Sequence, residues 1–309
     1  MDTIKEIRRR AGSNLKTIVL PEYDDGRVVE AAKIIEQEKI AKVILLTKEK
    51  MDPKLLEKYI NDYYELRKAK CPNIESVRQL FQDPLYYAAM MARDGLADGY
   101  VAGASHTSAD MARSAIHCLG IDKRISIACS CFIMVVPNCV YGEEGTFIYA
   151  DCGVIPDPNA RQLACIALAS SELAKKVLGL SARVALLSYS TKGSAEGKAI
   201  GKITEALSML KTTAPDLLVD GELQVDAAIV PEVAKIKYPD SPVAGKANIL
   251  IFPNLEAGNI GYKLTQRLSN ARALGPLLMG LNKPCSDLSR GCSIEDVVDC
   301  VAVTAIRAQ

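Results

Sequence analysis

Short apolar runs of β type alternate with amphipathic helical stretches along almost the whole chain. Thr17-Ile18-Val19-Leu20 predicts a strand, Pro21 to Gly26 the turn after it, and Arg27 to Lys39 a helix. A strand at 43–46, helices over 53–69 and 75–93, a strand at 98–102 and a helix at 109–118 follow. The runs 125–136 and 146–150 predict two strands joined by a turn at 138–145, a hairpin. Beyond it come helix 158–177, strand 184–187, helix 196–211, strand 217–219, helix 224–236, strand 249–252 and helix 256–270. The apolar positions Val297, Val298, Val301, Val303 and Ile306 form one stripe of a last helix starting at Ile294. Strand–helix alternation of this kind predicts α/β architecture, with mostly parallel sheets covered by helices on both faces.

At 309 residues the chain is long enough for two such α/β/α domains. No low-complexity linker marks a boundary, but polar Asp122-Lys123-Arg124 precedes a long strand, and a second crossing fits near Gly280. The expected division is 1–123 with 280–309, and 124–279. Loop 282–293 then falls at the seam between them, and the active site is expected in that interdomain cleft, where ligand sites concentrate.

Composition narrows the function classes. Apolar residues make up 49% and charged residues 24%, an ordinary globular balance. A net charge of +1 supplies no bulk field for nucleic acid or anionic membrane, so neither is an expected partner. Met1-Asp2-Thr3-Ile4-Lys5-Glu6 is too charged for a signal peptide, and the most apolar run, 125–137, is too short to span a bilayer. Ten cysteines scattered among apolar neighbours read as reduced thiols of a cytosolic protein. With two histidines and no C-x-x-C pair, no zinc site is expected.

Candidate chemistry lies where strands run into helices. In Ser286-Asp287-Leu288-Ser289-Arg290-Gly291-Cys292-Ser293-Ile294-Glu295-Asp296, Ser293 is a good N-cap and Asp296 stands in capping-box position. The helix start and Arg290 together suit an anion, and a well-capped helix with an exposed arginine is the plainer alternative. Ser105-His106-Thr107-Ser108, with Asp110 and Arg113, offers hydroxyls at another helix start: a phosphate site or a capping turn. Ser188 to Ser194 resembles a phosphate cradle, yet G-x-x-x-x-G-K-[ST] and a strand-following G-x-G-x-x-G are both absent. Asp220, Glu222 and Asp226 could bind Mg²⁺, or simply favour the next helix start. His117 sits on an apolar helix face, as structural histidines do. Lys263 and Arg267, one turn apart, form either a solvated basic face or a diphosphate contact.

Taken together, several long motifs resemble phosphotransacetylase (phosphate acetyltransferase). They are Asp287 to Ser293, Leu187 to Ser194, Asp220 to Asp226, Ser241 to Asn248, Phe252 to Leu255 with Gly258-Asn259-Ile260, and Tyr64-Glu65-Leu66-Arg67, covering nearly the whole chain in order. Between Lys48 and Tyr59 the chain is shorter than the family pattern, and Ala69 follows Lys68 where a glycine is usual. The resemblance implies an enzyme of reversible acetyl transfer between acetyl phosphate and coenzyme A, built on an isocitrate/isopropylmalate dehydrogenase-like architecture and commonly a homodimer. Coenzyme A is then a substrate, and no cofactor or metal is expected. By matched position the resemblance makes Ser289, Arg290 and Asp296 catalytic candidates. It makes Arg67, Arg113, Thr107 and Ser108 acetyl-phosphate ligands, and Lys263, Arg267 and Ser190 coenzyme A contacts.

The reaction needs a thiolate to attack the acetyl carbon while phosphate leaves. Arginine forks grip phosphate bidentately, and Ser289 can donate to the oxyanion of the transition state. Asp296 is either the base or an orienting group, because an ordinary carboxylate lies about 4.6 pKa units below an ordinary thiol, roughly 6 kcal/mol against proton transfer. Direct transfer in a ternary complex is expected over an acetyl-enzyme on Cys292 or Cys139, neither of which has a histidine nearby in sequence. The competing functions are a phosphate butyryltransferase, a metal-dependent decarboxylating dehydrogenase of the same architecture, and a silent acyl-CoA-binding protein.

Overall fold

The computed structural model describes residues 2–309, leaving Met1 outside. The chain separates into two compact units, 1–123 with 280–309, and 124–279. The first unit begins with α1 (Thr3–Gly12), β1 (Thr17–Leu20), α2 (Gly26–Gln37) and β2 (Lys42–Leu45). It continues with α3 (Pro53–Arg67), α4 (Ile74–Leu80), α5 (Pro84–Asp94), β3 (Gly99–Ala102) and α6 (Ser108–Leu119). The second unit holds β4 (Cys129–Val135), β5 (Thr146–Ala150), α7 (Ala160–Leu173), β6 (Arg183–Leu187), α8 (Lys198–Thr213) and β7 (Leu218–Leu223). It ends with α9 (Val225–Ile229), α10 (Pro231–Lys237), β8 (Ile249–Ile251), α11 (Leu255–Ser269) and β9 (Arg272–Met279). The chain then rejoins the first unit with β10 (Cys285–Asp287) and α12 (Ile294–Ala308).

In the first unit the strands run β2-β1-β3-β10, every pair parallel. All four residues of β3 are buried, so both faces of the sheet are covered. One helical group comprises α1, α2 and α12; α5 and α6 belong to the other, and both groups touch β1 and β3. Arg8 of α1 donates to the fully buried Asp299 of α12 at 2.7 Å, fastening the first helix to the last. Side chains of Asp2, Asp25, Asp52, Asn73, Asp83 and Thr107 cap the helices they precede, satisfying N–H groups that have no partner within the helix. Because the sheet is parallel, the loops after β1, β3 and β10 leave from one edge, and Leu288 N–H bonds Ala102 O at 2.8 Å.

In the second unit the order is β9-β4-β5-β8-β6-β7. The expected hairpin is present: β4 and β5 pair antiparallel from Cys131↔Ala150 to Val135↔Thr146. β9 lies antiparallel on the other side of β4, while β5, β8, β6 and β7 are parallel.

Four sequence expectations shift. Helix 75–93 divides at Asp83-Pro84, and helix 224–236 at Val230-Pro231, because a proline nitrogen cannot donate within a helix. β7 runs on through Gly221-Glu222-Leu223, where glycine and charge suggested a loop. β9 and β10 had no sequence expectation, and Ser286 and Asp287 are strand residues rather than loop. Between β2 and α3 stands a single 3₁₀ turn, Lys48–Lys50, in the segment where the chain is short.

Candidate active site

Three loops meet at the carboxyl edge of the first unit's sheet, and Arg27 fastens them. Its Nη1 donates to Arg290 O and Cys292 O, both at 2.9 Å, and its Nη2 donates to Ala104 O at 2.9 Å. Asp25 holds the guanidinium in place from below, at 3.0 Å to Nε and 2.6 Å to Nη2. One planar fork thereby spans the loop after β3 and the loop after β10.

The loop after β3 wraps around a carboxylate. Glu22, 2% exposed, accepts N–H bonds from Gly103, Ala104, Ser105 and His106 at 2.8–3.1 Å, together with the Ser105 hydroxyl. The His106 ring bonds Glu22 at 2.7 Å through Nδ1 and Asp83 at 3.1 Å through Nε2. Burial pushes the Glu22 pKa up, but the imidazole and the N–H groups outweigh it and hold it at about 2. Asp83 first and Glu22 second lift His106 to about 10, so the ring is a cation at neutral pH. Thr107 caps α6 by accepting Asp110 N–H at 3.2 Å, and its hydroxyl donates to Asp110 Oδ2 at 2.7 Å. Asp110 also pairs with Arg113 at 2.9 Å. Thr107, Ser108 and Arg113 are all exposed.

The loop after β10 begins at Asp287, which is 1% exposed. Its Oδ1 has no hydrogen-bond partner and lies against Gly103, where an added Cβ would stand 2.3 Å from it. Burial raises this carboxyl to a pKa of about 7 against the Ser108 hydroxyl and the Leu288 N–H. Ser289 and Arg290 follow, both exposed, with Ser289 Oγ accepting Gly291 N–H at 3.2 Å. The expected capping box forms: Asp296 N–H donates to Ser293 Oγ at 3.2 Å, and Ser293 N–H to Asp296 Oδ2 at 2.9 Å. Burial pushes the Cys292 thiol up to about 11, which leaves almost no thiolate at neutral pH.

Arg67 ends α3, and Arg113 lies on the second turn of α6, a helix that α3 packs against. Both charges act on His117, whose pKa falls first through burial and then through Arg67, Arg113 and Lys70. His117 Nδ1 bonds Tyr63 OH at 3.0 Å, which fits the structural role expected of it.

In the second unit, the loop after β6 folds over Glu222. Ser190 is fully buried; its hydroxyl donates to Glu222 Oε1 at 3.1 Å and accepts Ala195 N–H at 3.1 Å, while Gly193 N–H reaches Glu222 at 2.7 Å. Asp220 pairs with Lys192 at 3.0 Å and Asp226 with Lys237 at 2.7 Å, so each of the three carboxylates has its own partners. Among the described residues no group of three or more His, Cys, Asp and Glu is placed to hold a metal ion. Lys263 and Arg267 project from exposed positions of α11.

Local sequence does not single out Glu22, Arg27, Asp83 or Asp287 as site residues. Its available signal was position: Pro21-Glu22-Tyr23-Asp24-Asp25-Gly26-Arg27 follows a parallel strand directly, where sites form, but it read as a polar turn.

Comparison with known proteins gives this arrangement its context. A family model described as phosphate acetyl/butaryl transferase matches residues 2–305. The phosphate acetyltransferase of Acetivibrio thermocellus is 49% identical, over 100% of this chain and 99% of that protein. That alignment runs to 328 positions, so the relative carries residues this chain lacks. The crystal structure of a phosphotransacetylase from Streptococcus pyogenes superposes with a TM-score of 0.90 at 38% identity, covering 99% of this chain and 98% of that one. A branched-chain phosphotransacylase from Enterococcus faecalis shares the fold, with a TM-score of 0.67 at 18% identity over 95% and 99% of the two chains. A family match over nearly the whole length, joined to full-length relatives well above 30% identity, places the chain in the phosphate acetyltransferase family of acyltransferases.

Proposed function

We propose that the protein moves an acetyl group reversibly between acetyl phosphate and coenzyme A, by direct thiolate attack and without a resident cofactor. The observation carrying this reading is the Arg27 clamp, which ties the Ser289-Arg290 loop to the loop that leads into Thr107 and Ser108. Arg290, Arg113 and Arg67 grip the phosphate, with Thr107 and Ser108 completing its shell. Ser289 donates to the oxyanion that develops on the acetyl carbonyl. A carboxylate is a far weaker base than a thiolate, so Asp296 orients the thiol rather than carrying its proton away, and Arg290 favours the thiolate by charge. Lys263 and Arg267 meet the coenzyme A phosphates, while Ser190 shapes the neighbouring loop from within. The raised Cys292 pKa speaks against an acetyl-enzyme on that residue.

A coupled assay for acetyl-CoA from acetyl phosphate and coenzyme A, without added metal, tests the reaction; no turnover would sink it. Butyryl phosphate in the same assay decides the acyl length, since the matching family model spans both acyl groups. A homodimer in the cytosol completes the reading. Its support is an apolar stripe left exposed on α11, with Ile260 at 58%, Leu264 at 53% and Leu268 at 81%, and ten free cysteines. Sedimentation at a single monomer mass would remove the dimer.

A further inference from the structure

Acyl transfer from acetyl phosphate has a proton requirement that the site residues named above leave unmet. When the S–C bond forms and the C–O bond breaks, the electron pair stays on a phosphate oxygen. Acetyl phosphate enters as a dianion, so the departing group would be the strongly basic phosphate trianion unless that oxygen gains a proton during cleavage. The balanced step is thiol plus acetyl phosphate dianion giving thioester plus hydrogen phosphate dianion. Arginines can soften the charge, but they hold their protons too firmly to give one up.

A protonated acid near the phosphate shell is therefore wanted, and the carboxyl end of β10 supplies one. Asp287 is buried, its Oδ1 has no partner, and the Ser108 hydroxyl is among the polar groups that act on its carboxyl. An ionised carboxylate with an empty acceptor oxygen is costly in such a place, whereas a carboxylic acid is not. Gly103 leaves no room for a larger neighbour that could satisfy that oxygen.

We propose that Asp287 is the proton source for the leaving phosphate: its carboxyl proton passes to the Ser108 oxygen as the Ser108 hydroxyl proton passes to the departing phosphate oxygen. The proposal rests on Ser108 facing the phosphate, as the proposed function has it. Asp287 acts through Ser108 and so positions and feeds the proton without touching substrate. It becomes a carboxylate during transfer and is reprotonated from water once hydrogen phosphate leaves; in the reverse direction the same relay takes the proton back. The thiol's own proton goes to solvent, which closes the balance.

The charges around this acid are few. Glu22 from the loop after β1 favours its protonated form and His106 from the loop after β3 opposes it. On the helices packed against β10, Asp110 is paired with Arg113 on α6, and Asp299 with Arg8 at α12. A pKa of about 7 lets the group hold its proton below neutrality and lose it above. The turnover profile should accordingly fall on its alkaline side.

The test compares the full-length enzyme with Asp287→Asn, Ser108→Ala and the double variant, measuring kcat and KM for acetyl phosphate from about pH 6 to 9. Unfolding midpoints are measured alongside. The expected result for D287N is a native midpoint, kcat lower by about 10²-fold, KM little changed and the alkaline limb abolished. The double variant should be about as slow as the slower single one, because both changes cut one relay. D287N that folds and keeps kcat within a few-fold, or keeps the alkaline limb, overturns the proposal, as do losses that multiply in the double variant. If S108A changes neither kcat nor KM, the placing of Ser108 at the phosphate fails, and the relay with it. If S108A is impaired while D287N is normal, only the relay fails. Should D287N not fold, S108A alone decides: it must lose the alkaline limb while Asp287 is intact.

Discussion

Arg27 Nη1 lies 2.9 Å from the carbonyl oxygen of Arg290, so one arginine positions another through its backbone. The same guanidinium reaches Cys292 O and Ala104 O, and no other residue type could span all three from one stem. Arg27→Lys keeps the charge and loses the fork. We expect R27K to lower kcat/KM by about 10²-fold, nearly as much as Arg27→Ala, since charge-assisted hydrogen bonds contribute roughly 1.5–3 kcal/mol each. A steady-state comparison of the two variants checks this; R27K with native kcat/KM would show that charge alone suffices.

Glu22→Gln should destabilise the fold. Its folded pKa of about 2 against an ordinary 4.5 corresponds to roughly 3 kcal/mol present above pH 4.5 and lost as pH falls toward 2. A glutamine would also aim N–H groups at N–H groups. Urea titrations across this range should give a steep acid limb for the native protein and a shallow one for the variant. Equal limbs would mean that the carboxylate contributes nothing.

His106 sets the opposite limb. Its pKa is raised from 6.5 to about 10, so its contribution is complete below pH 6.5 and disappears as pH rises through 10. Stability should fall by up to about 1.4 kcal/mol per pH unit in that window. His106→Gln should flatten the slope, and thermal midpoints between these pH values measure it. This interaction is shared with Glu22, so the two effects are not additive.

Ser289→Ala removes the proposed oxyanion donor while leaving the Arg27 clamp on Arg290 and Cys292 intact. Turnover should drop by about 10²–10³ with little change in stability. A kcat within a few-fold of the native value would take Ser289 out of the chemistry.

Much of the fold was legible because strand and helix periods alternate cleanly. Thr17–Leu20 and Thr146–Ala150 are strands at the positions read from sequence. What escaped was decided by partners distant in the chain. Asp287 reads as a polar loop residue until β10 is seen beside β3, where Asp287 pairs with Ala102 and burial follows. Glu22 looks like a solvated turn residue because its donors, Gly103 to His106, come about eighty positions later. Ser190 lies in a hydroxyl-rich loop that suggested an open phosphate cradle. In the fold Glu222 claims that hydroxyl, and β7 had to extend two residues past the glycine to bring it there. The capping box at Ser293 and Asp296, by contrast, is local in sequence and was readable as such.

Four converging N–H groups at the end of a parallel strand are a common trap for phosphate. Here Glu22 occupies that trap permanently as a tethered competitor. Free phosphate finds no rigid backbone nest there in which to linger. On the proposed assignment it is held instead by the side chains of Arg290, Arg113, Arg67, Thr107 and Ser108, whose rotamers can let go. An enzyme that must run in both directions gains from this, since a product held by mobile side chains leaves fast.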